Sequence, residues 1–213
     1  MQYQYTRDPD RIRQQSYAKV RELADLARFT PEQQQVVIHM IRAYGDPDLS
    51  QHIRFSDKAI EVGLKAVKQQ YNILYDIDMV GHTLDKRHLY QEPLSFLNRA
   101  QVISQAKLKK QTRTCTAVDF WRPYMRNSIV LFGQSGTALF RFLELLQDGA
   151  PRPSLVIAAA RGFVNADNAK QALWAHKEEY GLECIVVDGS RGGGVLAGTA
   201  MNALMWMQAG IWV

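Results

Sequence analysis

The chain has 213 residues, 46% of them apolar and 22% charged, with a formal net charge of +5. That is enough apolar material to close one sizeable core and too little for two, so a single domain spanning 1–213 is expected. No segment approaches the roughly 20 uninterrupted apolar residues of a membrane-spanning helix, and the basic residues do not gather into a stripe interleaved with aromatics, so neither a membrane nor a nucleic acid is the expected partner.

Residues 1–10 are polar and aromatic, without the basic-then-apolar layout of a secretory signal, and a cytoplasmic protein is expected. Asp8-Pro9 then supplies an N-cap and a proline at the first helical position, with Ile12, Tyr17, Val20, Leu23 and Leu26 at helical spacing. Thr30-Pro31-Glu32-Gln33 repeats the device as a capping box, and Val36, Val37, Met40 and Ile41 form a buried face until Gly45 stops the helix. Ser56 is expected to open a third helix through Val67.

From Asn72 the pattern changes to short apolar runs, the mark of strands covered on both faces. Residues 72–75 form the first such run, and 94–97 a weaker one. Helices are expected over 101–110 and 114–121, then strands over 128–132, 154–159 and 183–188. Each of these three strands leads through a glycine-bearing turn into a helix, at 137–147, 166–178 and 195–208. A βαβαβα order predicts an α/β fold with a mainly parallel sheet, flanking helices, and the N-terminal helices packed on it. Cys115 and Cys184 lie far apart and fit neither a metal-ligand set nor a disulfide framework, so both are expected to be reduced and structural.

In an open parallel sheet ligands bind beyond the carboxyl ends of the strands, where helix N-termini offer amides and a positive dipole. Gly189-Ser190-Arg191-Gly192-Gly193-Gly194 is the densest glycine run at that edge. Its spacing is not the dinucleotide fingerprint, and Arg191 within it points to a ligand carboxylate.

Taken together, these residues resemble the precorrin-8X methylmutase family, including the cobalt-precorrin-8 methylmutases. The resemblance rests on Ser16 with Val20-Arg21-Glu22-Leu23, Met40-Ile41 before Gly45, Phe55-Ser56 with Ala59 and Val62, and Asp76-Ile77-Asp78-Met79-Val80. It continues through Thr112-Arg113, Asp119-Phe120-Trp121, Thr137-Ala138-Leu139-Phe140-Arg141, Gly162-Phe163-Val164, Lys170, Arg191-Gly192-Gly193 and Asn202-Ala203-Leu204. It implies a homodimer that needs no cofactor or metal and moves a methyl group from C11 to C12 of a polycarboxylated tetrapyrrole, precorrin-8X or its cobalt form. It further implies that a histidine in the second helix protonates the macrocycle on ring C. The substrate contacts it implies are Ser16, Thr112, Arg113, Gly133, Gly162, Phe163, Arg191, Gly192 and Gly193; Arg161, where the family tends to be apolar, is a further candidate because an added guanidinium favours a ligand carboxylate.

The chain departs from the family at that histidine, whose position is Arg42 in Arg42-Ala43-Tyr44-Gly45. Arginine stays protonated at neutral pH, so it stabilises charge but is a poor proton donor. His39, three residues earlier, and Tyr44 are the other candidates for the acid. Tyr44, Ala160, Arg161 and Gly194 also differ from the family pattern. Three functions therefore stay open at the level of sequence: a methylmutase with Arg42 as electrostatic help, a tetrapyrrole-binding paralogue without mutase activity, and an enzyme of another class with Tyr44 as acid. The apolar stretch from Ala203 to Trp212 is a candidate dimer surface.

Overall fold

A computed structural model describes residues 3–213; Met1 and Gln2 lie outside the described residues. Helix α1 (Pro9–Leu23) starts where the Asp8 carboxylate accepts from the Arg11 amide at 2.7 Å. Helix α2 (Pro31–Tyr44) carries both halves of the Thr30/Gln33 capping box and ends at Gly45, which adopts φ +82°. Strand β1 (Ile53–Phe55) and helix α3 (Ala59–Lys68) follow, then β2 (Ile73–Tyr75), α4 (Asp78–Thr83), α5 (Ala100–Lys109) and α6 (Arg113–Val118). The regular alternation comes last: β3 (Ile129–Phe132), α7 (Gly136–Gln147), β4 (Leu155–Ala158), α8 (Ala166–His176), β5 (Glu183–Val187) and α9 (Gly194–Gln208).

Among the described residues the strands form one five-stranded sheet in the order β1-β5-β4-β3-β2. It is parallel from β2 to β5, with Ile129 opposite Leu155 and Leu155 opposite Glu183, and antiparallel where Ile53 of β1 meets Val187. Successive side chains on a strand point to opposite faces. Ile129, Leu131, Leu155, Ile157 and Ile185 join one core with α2, α3 and α9, whereas Val130, Phe132, Val156 and Val186 join another with α6, α7 and α8. Because both faces are covered, these strands read as unbroken apolar runs. Helices α3 and α9 lie directly against the sheet, α2 packs on α9, and α1 packs on α2.

Three expectations are corrected. Ser56 does not cap the third helix: its hydroxyl donates to the Glu183 carboxylate and accepts the Cys184 amide at 2.7 Å, pinning the end of β1 to β5, and the helix begins at Ala59. Residues 94–97 make only a single bridge, Leu94 to Leu74, because the chain turns away into the next helix. The stretch from Ala203 to Trp212 divides, with Ala203, Leu204, Met205 and Met207 in the core and residues 208–212 exposed, Ile211 and Trp212 at 42% and 50%. Its first half is therefore unavailable to a partner.

Candidate functional site

The carboxyl ends of the parallel strands are joined by backbone contacts. Asp76, fully buried after β2, accepts the amides of Gly133 (2.8 Å), Gln134 (3.0 Å) and Ser135 (2.9 Å), which fixes the turn between β3 and α7. Burial pushes its carboxyl up, and those three N–H groups oppose the shift. Gly133 is needed because the backbone of α9 arrives there: a Cβ would lie 2.6 Å from the Gly194 Cα. With its amide engaged by Asp76 and its Cα covered, Gly133 builds the site from beneath and offers no free donor, a correction to the expected substrate contact.

Two loops complete this edge. Gly193 donates its amide to the Ala159 carbonyl at 2.7 Å, and Gly162 donates to Ser190 at 3.1 Å, so the loops after β4 and β5 are laced together. Gly192, at φ +151°, passes so close to β4 that a Cβ would sit 2.1 Å from the Ala159 oxygen. Beneath them the Lys170 ammonium on α8 reaches three carbonyls, Ala160 (2.7 Å), Gly189 (2.6 Å) and Arg191 (3.0 Å).

Above this floor lies a pocket of about 330 Å³. It is lined by Tyr44 at the end of α2, Ile77, Met79, Gln134, Arg161 and Gly192-Gly193. The lining is mostly apolar; Met79 in it is 54% exposed, and Phe163 and Val164, in the loop after β4, are exposed at 97% and 79%. The pocket thus gathers Tyr44, Arg161, Gly192 and Gly193, and Gly162 and Phe163 belong to one of its loops.

Other candidates lie outside the pocket lining. Thr112 caps α6 through the Cys115 amide at 3.2 Å and joins a row of hydroxyls, 2.8 Å from Thr137, which is 3.0 Å from Ser135. Exposed Arg113 follows it. Arg191 turns toward Asp46, 3.8 Å away. Arg42 lies over the Tyr17 ring, 4.9 Å from its centroid, with Ser16 adjacent on α1. Arg42, Arg113 and Arg191 therefore do not line the pocket with Arg161; Arg191 adjoins its glycine run, and Arg42 and Arg113 stand on other elements.

His39 is placed in the core. It is 4% exposed, its Nδ1 is 3.0 Å from the Tyr17 hydroxyl, and its ring is 4.6 Å from that of Trp206. Burial, helped by Arg42 and Arg21, lowers its pKa to about 4, so it is neutral at physiological pH. The geometry corrects its candidacy as an acid: it packs α2 against α1 and α9. Burial likewise lifts the Cys184 thiol to about 12, consistent with an inert core residue. Sequence reasoning did not assign a role to Asp76 or Lys170; a carboxylate and an ammonium inside an otherwise apolar α/β core were the available signal.

A family model described as precorrin-8X methylmutase matches residues 11–207. The chain belongs to the precorrin-8X methylmutase family. A precorrin-8X methylmutase of Pseudomonas aeruginosa is 35% identical over 202 residues, covering 94% of this chain and 96% of the relative. A cobalt-precorrin-8 methylmutase of Methanocaldococcus jannaschii is 28% identical, covering 83% of this chain and 80% of its own. The crystal structure of the Thermus thermophilus precorrin-8X methylmutase superposes with a TM-score of 0.85 at 32% identity, over 94% of this chain and 97% of the other. Within this methylmutase fold, no helix among the described residues is long and apolar enough to cross a membrane.

Proposed function

We propose that the protein is a methylmutase of corrin biosynthesis, taking precorrin-8X or its cobalt form and moving the methyl group from C11 to C12. The observation that carries this is the family match along residues 11–207, which includes every loop of the pocket. The reaction is an isomerisation: the C11–methyl bond breaks, the C12–methyl bond forms, and no electron acceptor is consumed. The work left to the protein is to hold the ring and stabilise charge as it shifts.

A tetrapyrrole is a flat apolar disc edged with carboxylates, and the site is complementary in kind. Tyr44, Met79 and Phe163 offer apolar surface to the disc, while Arg161 in the pocket and Arg191 next to its glycine run are available to side arms, each able to grip one through two parallel hydrogen bonds. A pocket of about 330 Å³ holds a sector of the ring, and the exposed fringe is available to the remainder or to a second copy of the chain in a homodimer. Arg42, held over Tyr17, acts as a stationary positive charge.

Purified protein and an Arg42→His variant are incubated with precorrin-8X and the absorbance followed toward hydrogenobyrinic acid. The wild type is expected to turn over slowly, and restoring a group that titrates near neutrality is expected to raise the rate by about 10² or more. No conversion by either protein, together with no binding of the ring, refutes the assignment.

A further inference from the structure

We propose that Lys170 is a positioning residue for ring binding: its ammonium ties the Arg161 loop to the glycine loop and so sets the shape of the pocket. The proposal rests on the assignment of the pocket to the tetrapyrrole. Lys170 is fully buried on α8, yet it touches no carboxylate. Instead its three N–H donors meet three carbonyls, Ala160 at 2.7 Å in the loop after β4, and Gly189 and Arg191 at 2.6 and 3.0 Å in the loop after β5. Two of them, Ala160 and Arg191, immediately precede the pocket residues Arg161 and Gly192.

An apolar side chain of similar length fills the same space without the cost of burying a charge, but leaves one buried and two part-buried carbonyls without this donor. Arginine presents a planar fork, whereas the ammonium is compact and directs its donors in three directions. The strap complements the direct lacing of the loops and lies below them, out of reach of a ligand. The charged groups around it are Asp167 on its own helix and Asp188 at the end of β5, the latter paired with Arg54 of β1. Arg161 is exposed and Arg191 partly so. Asp167 also takes the Gly189 amide at 2.8 Å, holding the same loop from its other side.

The strap can also be loosened. Burial pulls the Lys170 ammonium down to about 8, with Asp167 and Asp188 opposing. A neutral amine keeps two N–H groups for three carbonyls, so one tie is released as pH rises through that value. If the binding-competent loop arrangement falls to about a tenth of the population, apparent ring affinity falls about tenfold.

The test uses the full chain from about pH 6.5 to about 9.5, with hydrogenobyrinic acid as the ring probe and hydrogen exchange, corrected for intrinsic rate, as the loop probe. In the wild type, peptides spanning 159–163 and 189–194 are expected to lose protection with a midpoint near pH 8 while the rest of the sheet does not, and the Kd to rise about tenfold over the same interval. Lys170→Met is expected to show loosened loops and weak, pH-independent binding at every pH. Lys170→Arg, whose planar fork cannot meet all three carbonyls, is expected to loosen the loops in part and, being charged throughout, to show no midpoint near pH 8. Loops that stay equally protected across the range in the wild type overturn the proposal, and that measurement needs no variant to fold. Loosening loops with no ring binding at any pH overturn the ring assignment instead, whereas ring binding unchanged by pH and by Lys170→Met overturns the positioning role alone.

Discussion

Acidification should expose His39 as a core residue. Its pKa is 6.5 when free and about 4 in the fold, because burial between Tyr17 and Trp206 disfavours the imidazolium. Between those values the unfolded chain binds a proton that the folded chain refuses, so stability falls as pH drops through the window and is fully present above it. At about 1.4 kcal/mol per unit, a shift from 6.5 to about 4 amounts to about 3 kcal/mol lost by pH 4. Carboxylates titrate over the same range, so the quantity to measure is a difference: urea unfolding of the wild type and of His39→Leu at a series of pH values from 7 to 4. The variant has nothing to protonate at this position, and the wild type is expected to lose about 3 kcal/mol more than it does. Parallel stability curves for the two proteins would falsify the placement of His39 as a neutral core group.

Three further outcomes follow from the site. Asp76→Ala strips the acceptor from three backbone amides, and at about 1–3 kcal/mol for each buried donor left unpaired the unfolding free energy should drop by about 3 kcal/mol or more; a loss below about 1 kcal/mol in urea contradicts the clamp. Gly192→Ala places a methyl group 2.1 Å from the Ala159 oxygen, in a backbone conformation costing about 1–3 kcal/mol, so hydrogenobyrinic acid titrations should show binding weakened tenfold or so. Arg161→Gln removes an exposed guanidinium from the pocket wall; thermal unfolding should barely change, whereas ring affinity should weaken by about tenfold or more, the worth of a charge-assisted hydrogen bond.

Much of the fold was legible because its signals are local. Asp8-Pro9 and Thr30 with Gln33 mark helix starts through side chains that satisfy nearby amides, and the apolar runs at β3, β4 and β5 report burial on two faces. What escaped depends on partners distant in sequence. Strand β1 is three residues long and exists because Ile53 and Phe55 pair with Val187 and Ile185, far along the chain. Ser56 has the composition of an N-cap, yet its partners are Glu183 and Cys184.

The site divides in the same way. The glycine run and Arg161 were visible as a binding edge, since a turn of that composition allows close backbone approach. That Gly133 is consumed by Asp76, and that His39 faces Trp206 while Arg42 faces Tyr17, depends on helix rotation and packing that no spacing rule specifies. The family resemblance supplied the position of the missing histidine; the geometry shows what stands there.

The lower surface of the pocket is made of main chain and the upper of side chains. Gly133 against Gly194, Gly192 against Ala159 and the amides around Asp76 leave almost no room for change, while Tyr44 from the end of α2 and Arg161 and Phe163 from the loop after β4 project into solvent. A protein built this way can exchange its ligand-facing groups one at a time without reopening its architecture, so differences in which ring is accepted should accumulate along the upper tier, with thermal midpoints nearly level across such variants.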